Sequence, residues 1–192
     1  MNTITYDLPN SDITYYPNFF DEFDSHYFYT KLLKDIKWET KTLNFSGREV
    51  QIPRLTAWYG DAPYTYSGLR LEPNAWTPTL LSLKSAVEER VVHPFNSVLL
   101  NLYRDGQDFV SWHSDDEKEL GRNPVIASIS FGATRDFKLK HKYLDYKESI
   151  SLTSGSLLVM RGETQHYWQH SILKTSRKVE PRINLTFRTI YE

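Results

Sequence analysis

The sequence predicts an α+β fold: a jelly-roll β core with N-terminal helices packed on one sheet. Helical periodicity is confined to the first half, apolar residues recur at every second position from Ser97 onward, and turn signals cut the second half into short strands. The 192 residues contain no linker, internal repeat or low-complexity stretch. A single domain over 1–192 is expected, with about 1–95 forming a helical and lid part and about 96–192 the jelly-roll core.

Taken in order, Asn18 or Asp21 can cap a helix through about Ile36, in which Phe20, Phe23, Tyr27 and Leu32 recur near helical spacing. The stretch NFSGREVQIPR reads as a hairpin, with Gly47 at its turn and Arg48 or Val50 at its tip. Thr77 followed by Pro78 is an N-cap with proline at the first helical position, and Leu80, Leu83 and Val87 continue as an apolar stripe to about Arg90. The period then changes to two: Val98, Leu100 and Leu102 alternate with Leu99, Asn101 and Tyr103. Further strands are expected over residues 125–131, 136–140, 156–160 and 182–190, separated by turn signals at 104–106, 121–124, 153–155 and 161–162.

Composition limits the chemistry. The net charge of −1, from 23 basic and 24 acidic residues, creates no global field toward nucleic acid or an anionic membrane, so a polyanion needs a local basic patch. The absence of cysteine excludes disulfides, thiolate metal sites and a cysteine nucleophile, which leaves His, Asp and Glu as strong side-chain ligands. No signal-peptide pattern and no apolar run near ~18 residues occurs, so an intracellular, soluble, monomeric protein without membrane association is expected. Thirteen Tyr and five Trp suit a surface that meets flat ligands.

Against this background HSDDE, residues 113–117, stands out. On an extended strand, side chains two apart share a face, so His113 and Asp115 can reach one ion while Ser114 points away. Alone the pair is weak: six His and twelve Asp give roughly 0.4 such pairs by chance. HYWQH supplies His166 and His170 from a distant segment as the third donor. Two His and one carboxylate leave one side of an octahedron open, which suits non-haem Fe(II); zinc hydrolysis is the competing chemistry. In RINLTFR, Arg182, Asn184, Thr186 and Arg188 share one strand face, and arginine binds carboxylates bidentately.

The blocks PRLTAWYGD, YTYSGLRLEP, NLYRDGQDFVSWHSDDE, IASISFGATRDF, SGSLLVM, WQHSI and PRINLTFR occur in this order between residues 53 and 188. Together they resemble the AlkB family of iron- and 2-oxoglutarate-dependent nucleic-acid dealkylases, more closely its eukaryotic-type members. The resemblance implies a double-stranded β-helix that holds Fe(II) through His113, Asp115 and His170, the last as the His of a W-x-H element. It places Asn101, Tyr103, Arg182, Asn184, Thr186 and Arg188 around the co-substrate 2-oxoglutarate, Arg182 on its distal carboxylate and Arg188 near the chelating one. Tyr64 and Tyr66 match the aromatic pair beside an extruded base, and Asp116 or Glu117 the acid that reads it.

The implied reaction uses O2 and 2-oxoglutarate to demethylate bases such as 1-methyladenine and 3-methylcytosine in alkylated DNA, releasing formaldehyde, succinate and carbon dioxide: a DNA-repair activity in the cytoplasm of a bacterium or the nucleus of a eukaryote. RNA demethylation, protein hydroxylation and a non-catalytic reader of alkylated bases are the alternatives. Two basic sets, Lys138, Lys140, His141 and Lys142 in KLKHK and Lys174, Arg177 and Lys178 in KTSRK, are the candidates for backbone phosphate.

Overall fold

Asp21 caps the first helix by accepting a hydrogen bond from the Asp24 amide, and α1 runs Glu22–Asp35 until Ile36 leaves helical geometry. Thr77 does the same for α2, Pro78–Val91, whose chain then turns through a left-handed Val92. The computed structural model describes residues 2–45, 48–61, 64–66 and 69–191, without the side chains of 43–48 and 62–71. The expected turn at Gly47 and the side chain of Arg48 therefore lie outside the described residues.

Fourteen strands are described: β1 (Ile4–Tyr6), β2 (Asp12–Tyr16), β3 (Glu39–Phe45), β4 (Arg48–Gly60), β5 (Tyr64–Tyr66), β6 (Leu69–Leu71), β7 (Ser97–Tyr103), β8 (Val110–His113), β9 (Ile126–Gly132), β10 (Arg135–His141), β11 (Lys147–Leu152), β12 (Ser156–Arg161), β13 (Trp168–Ile172) and β14 (Arg182–Arg188). A short helix, α3 (Thr164–Tyr167), precedes β13. Eight strands form one sheet in the order β1-β2-β12-β9-β14-β7-β4-β3, four form a second in the order β11-β10-β13-β8, and β5 pairs with β6. This is the expected α+β jelly-roll arrangement.

Sequence patterning alone did not reveal β1, β2 and the full 13 residues of β4, which belong to the first half yet join the same large sheet. The parts 1–95 and 96–192 are therefore interleaved in one sheet. In β4 the register shifts opposite Thr40 and Thr42, a bulge that accommodates Pro53, which has no amide to give the ladder. The expected strand over 182–190 ends at Arg188, because the Ile190 amide turns away to Asn96 Oδ1.

The large sheet has two unlike faces. Ala57, Val98, Leu100, Ala127, Ile129, Leu157, Ile183, Leu185 and Phe187 pack toward the helices with Leu32, Leu80, Leu83 and Val87. Burial is worth about 1.5–3 kcal/mol for each large side chain in that layer. On the other face Trp58, Tyr103, Ile126, Leu158 and Met160 meet Phe137, Leu139, Ile150 and Trp168 of the smaller sheet. Gly132, with φ 86°, lets β9 pass beneath the Pro181 carbonyl and the Tyr29 ring, where a Cβ would collide.

Candidate active site

Between the sheets, the centre of the inner face is polar. Asn101 on β7, Ser128 and Ser130 on β9, and Arg182, Asn184, Thr186 and Arg188 on β14 are all buried there, in register across adjacent strands. Such a group of polar side chains inside a sandwich is costly unless it is hydrogen-bonded or meets a ligand. All of them except Ser130 line a cavity together with His113, Asp115 and His170.

His113 ends β8 and is the Cα partner of His170 on β13, with ring centroids 4.2 Å apart. One ligand atom from each of His113, Asp115 and His170 lies within 4.8 Å of the others, so the three could hold a metal ion. Asp115 is not on the strand, contrary to the alternation argument. The ladder stops at His113, and Asp115 turns inward from the segment beyond it. Three contacts replace the ladder: Ser114 Oγ donates to the Trp168 carbonyl at 2.8 Å, the Asp115 amide to Gln165 Oε1 at 2.9 Å, and Lys142 Nζ to Asp116 Oδ2 at 3.4 Å.

The donor chemistry fits a cation. Arg188 Nη2 donates to Asp115 Oδ2 at 2.8 Å, whereas the buried Asp115 Oδ1 has no hydrogen-bond partner among the described residues. His113 Nε2 sits 3.6 Å from that oxygen, and its Nδ1 donates to the Ser111 carbonyl at 2.8 Å, which turns Nε2 toward Asp115. Burial opposes the charge on Asp115, but Arg188, His170 and His113 outweigh it and hold the carboxyl well below the usual carboxylate range. Burial, with His113 next, pushes His170 down to about 3, so its imidazole is neutral and able to donate an electron pair.

Arg182 lies at the far end of β14 from Arg188. It is 2 % exposed; Nη2 donates to Ser130 Oγ at 2.8 Å, the guanidinium lies 5.2 Å from the Tyr103 ring centroid, and Nε and Nη1 make no hydrogen bond of good geometry among the described residues. Burial is the main force that lowers its pKa, to about 10. Asn184 is more committed: its amide donates to Ser128 Oγ and the Ile129 carbonyl, and its oxygen accepts from Thr186 Oγ1 at 3.1 Å. The expected ladder thus has Arg182 lining the cavity beside Tyr103 at one end, Arg188 on Asp115 at the other, and an internally satisfied middle.

Sequence reading missed Arg54. It is buried on β4, where Nε donates to Asn101 Oδ1 at 2.7 Å and Nη1 to the Phe109 carbonyl at 3.2 Å. The signal available was an arginine within an apolar strand, inside a block already noted for its resemblance. Of the other expected site residues, Asp116 is exposed beside Lys142 and Glu117 immediately precedes a 3-10 turn without a side-chain capping bond to it. Tyr64 and Tyr66 lie on β5, but their side chains are outside the described residues. His166 is exposed and bonds Asn123 Oδ1, away from the metal-ligand group. His141, expected in a basic patch, is buried; its Nδ1 accepts from the Tyr143 and Leu144 amides and closes a turn.

Residues 12–188 match the 2OG-Fe(II) oxygenase superfamily. The fold, the three-donor group and this match define the chain as an Fe(II)- and 2-oxoglutarate-dependent dioxygenase domain, whose chemistry uses O2. Within that class it belongs to the AlkB family. It is 46% identical over 192 residues to human alpha-ketoglutarate-dependent dioxygenase alkB homolog 3, covering 94% of this chain and 67% of that protein. It is 48% identical to the Bos taurus homolog 3, covering 91% and 65%, and 38% identical to human DNA oxidative demethylase ALKBH2, covering 91% and 72%. The chain spans about two thirds of the length of these relatives. The solved structure of OsALKBH1 shares the fold, with a TM-score of 0.67 at 14% identity over 96% of this chain and 98% of that one.

Proposed function

We propose that the protein demethylates N-alkylated bases in nucleic acid, DNA foremost, and so repairs alkylation damage. The observation that carries the proposal is the convergence of His113, Asp115 and His170 at one end of a buried polar cavity that has Arg182 at the other. Relatives named for alpha-ketoglutarate-dependent dioxygenase and DNA oxidative demethylase activity support the substrate class. Bound Fe(II) supplies oxidation of the N-methyl group by O2, coupled to conversion of 2-oxoglutarate to succinate and carbon dioxide, with the methyl carbon leaving as formaldehyde.

The chain's own residues bind and orient. His113, Asp115 and His170 would hold the metal, and Arg182 would take the distal carboxylate of 2-oxoglutarate through donors that the protein leaves open. Tyr103 would lie beside that carboxylate, and Arg188 would link the metal-binding Asp115 to the nearer one. With its oxygen held by Arg54 and one amide hydrogen directed to Asn184 Oδ1 at 3.5 Å, Asn101 would present its other amide hydrogen, while Asn184 and Thr186 brace the wall. A substrate base must leave its stack to reach this depth, and alkylation on the pairing face lowers that cost. Tyr64 and Tyr66 would flank the base, and an acidic rim at Asp116 and Glu117 favours cationic 1-methyladenine and 3-methylcytosine over neutral bases.

For phosphate, Lys140 and Lys147 are favoured. They are Cα partners on β10 and β11, and like charges placed directly opposite are destabilising unless anions meet them; Asp145 lies 3.5 Å from Lys147, Lys140 sits 4.5 Å from the Trp112 ring centroid, and a phosphate would relieve the pair further. Lys138 and Lys142 already face Asp136 and Asp116, at 3.6 and 3.4 Å. Lys174, Arg177 and Lys178 are exposed and supply a second candidate set. Action as a monomer is part of this proposal, and among the described residues no helix is long and apolar enough to cross a membrane. An intracellular setting, cytoplasm or nucleus, accords with such a substrate.

Mass spectrometry of a 1-methyladenine oligonucleotide incubated with iron, 2-oxoglutarate and ascorbate should show loss of one methyl group and release of formaldehyde. A panel of single- and double-stranded DNA and RNA sets the preference. Silence on the whole panel while succinate still forms on a protein substrate would replace this function with protein hydroxylation.

A further inference from the structure

We infer that Gln165, braced by Lys142, is a positioning residue for the metal-binding carboxylate; the inference rests on His113, Asp115 and His170 being the metal ligands. Asp115 lies beyond the end of β8, so no ladder hydrogen bond fixes its backbone, and apart from the Arg188 contact its carboxylate is directed by what its own peptide group touches. Its amide donates to Gln165 Oε1 at 2.9 Å, and Gln165 is 1 % exposed. An N–H can meet only an acceptor, so this contact also decides which way the Gln165 amide is turned. Its Nε2 then faces Met160 Sδ at 3.5 Å, a weak acceptor that competes little for the side chain.

The α3 turn that carries Gln165 is itself tied down. Thr164 Oγ1 accepts from the Asp12 amide at 2.9 Å and donates to the Arg161 carbonyl, while Lys142 Nζ donates to the Gln165 carbonyl at 3.0 Å and reaches Asp116. Lys142 thus joins β10, α3 and the segment that contains the ligand. Gln165 sets the inward carboxylate at 115, and Lys142 holds the next carboxylate, at 116, on the outside. Without these two contacts residues 115 and 116 would depend on Arg188, on the Ser114 bond to the Trp168 carbonyl and on solvent to choose their directions.

The test is Mn(II) binding to the metal-free protein, followed by the electron paramagnetic resonance of free Mn(II), with the thermal midpoint of each metal-free variant measured beside it. Gln165→Met keeps the volume and removes the acceptor; its Kd for Mn(II) should rise about tenfold, the usual effect of losing a group that orients a ligand. Gln165→Glu restores an acceptor oxygen and should bind closer to the parent than Gln165→Met. A lowered midpoint with unchanged Kd in Gln165→Met would reduce the residue to a packing role and overturn the inference. Should Gln165→Met fail to fold, Lys142→Met decides: weakened Mn(II) binding at an unchanged midpoint supports the brace, and unchanged binding overturns it. If the parent chain bound no Mn(II), or His113→Ala bound it as tightly as the parent, the ligand assignment itself would fall.

Discussion

The two faces of β14 differ more sharply than any two domains could. Ile183, Leu185 and Phe187 point toward the helices and are fully buried among apolar neighbours, while the residues between them, Arg182, Asn184, Thr186 and Arg188, are just as buried but polar. Seven consecutive residues thus serve stability and chemistry in alternation, because successive strand side chains leave opposite faces of the sheet. A one-residue slip would bring the charges among the helices and the aliphatic groups into the cavity. The apolar face therefore fixes the register on which the polar face depends.

Substitutions should separate the faces, and the largest effect belongs to the inner side. His113→Ala should bring formaldehyde release to background while leaving the thermal midpoint of the metal-free protein close to that of the parent, since this ring ends an edge strand. Leu185→Ala should do the reverse: about 2–5 kcal/mol of stability lost in urea unfolding, with turnover per folded molecule retained. If it altered turnover instead, the division of labour along β14 would be wrong. Arg182→Met removes charge-assisted bonds without removing volume, and should raise KM for 2-oxoglutarate by about 10- to 100-fold.

A smaller effect follows from pH. His170 has a folded-state pKa of about 3, below its ordinary 6.5, so the unfolded chain binds the extra proton first and stability declines as pH falls from about 6.5 toward 3. The slope from this group is at most about 1.4 kcal/mol per pH unit. Asp115 adds stability above its ordinary pKa of 3.8 that is lost as pH falls through its depressed one, a lower window. Urea midpoints of metal-free parent and His170→Ala, compared across pH 4–7, should diverge in slope, and parallel curves would mean that the inner face carries no buried neutral imidazole. The smallest change is expected outside the cavity. Lys140→Ser with Lys147→Ser should lower the dependence of log K on log salt by about 0.7–0.9 for each phosphate no longer neutralised, leaving turnover at saturation intact.

Much of this was legible beforehand. The Thr77-Pro78 cap was readable, and the first cap was narrowed to Asn18 or Asp21, because such caps act locally, on amides within three residues; the structure selects Asp21. The face of β14 was readable because alternation is a local geometric rule. Asp115 does meet His113 and His170, but not by the expected route: the sequence suggested a continuing strand, whereas Gln165 and Lys142, 50 and 26 residues away from Asp115 and Asp116 along the chain, hold this segment beyond the strand end. Arg54 escaped notice for a related reason, since a buried arginine in an apolar strand has meaning only once Asn101, 47 residues on, is seen to accept its hydrogen bond. His141 shows the opposite error: its basic neighbours suggested phosphate, and only its turn shows it facing inward.

By itself the sequence determined the periodicities, the caps, the absence of thiol chemistry and an ordered set of motifs that resembles one family, all of which are properties of neighbouring residues. Only the tertiary structure decided that His113 and His170 meet across two strands, that Arg182 and Arg188 stand at opposite ends of one cavity, and which polar groups remain open within it. The physical reason is that hydrogen-bond satisfaction and desolvation depend on everything packed around a group, and in a jelly roll those neighbours come from strands far apart in the chain.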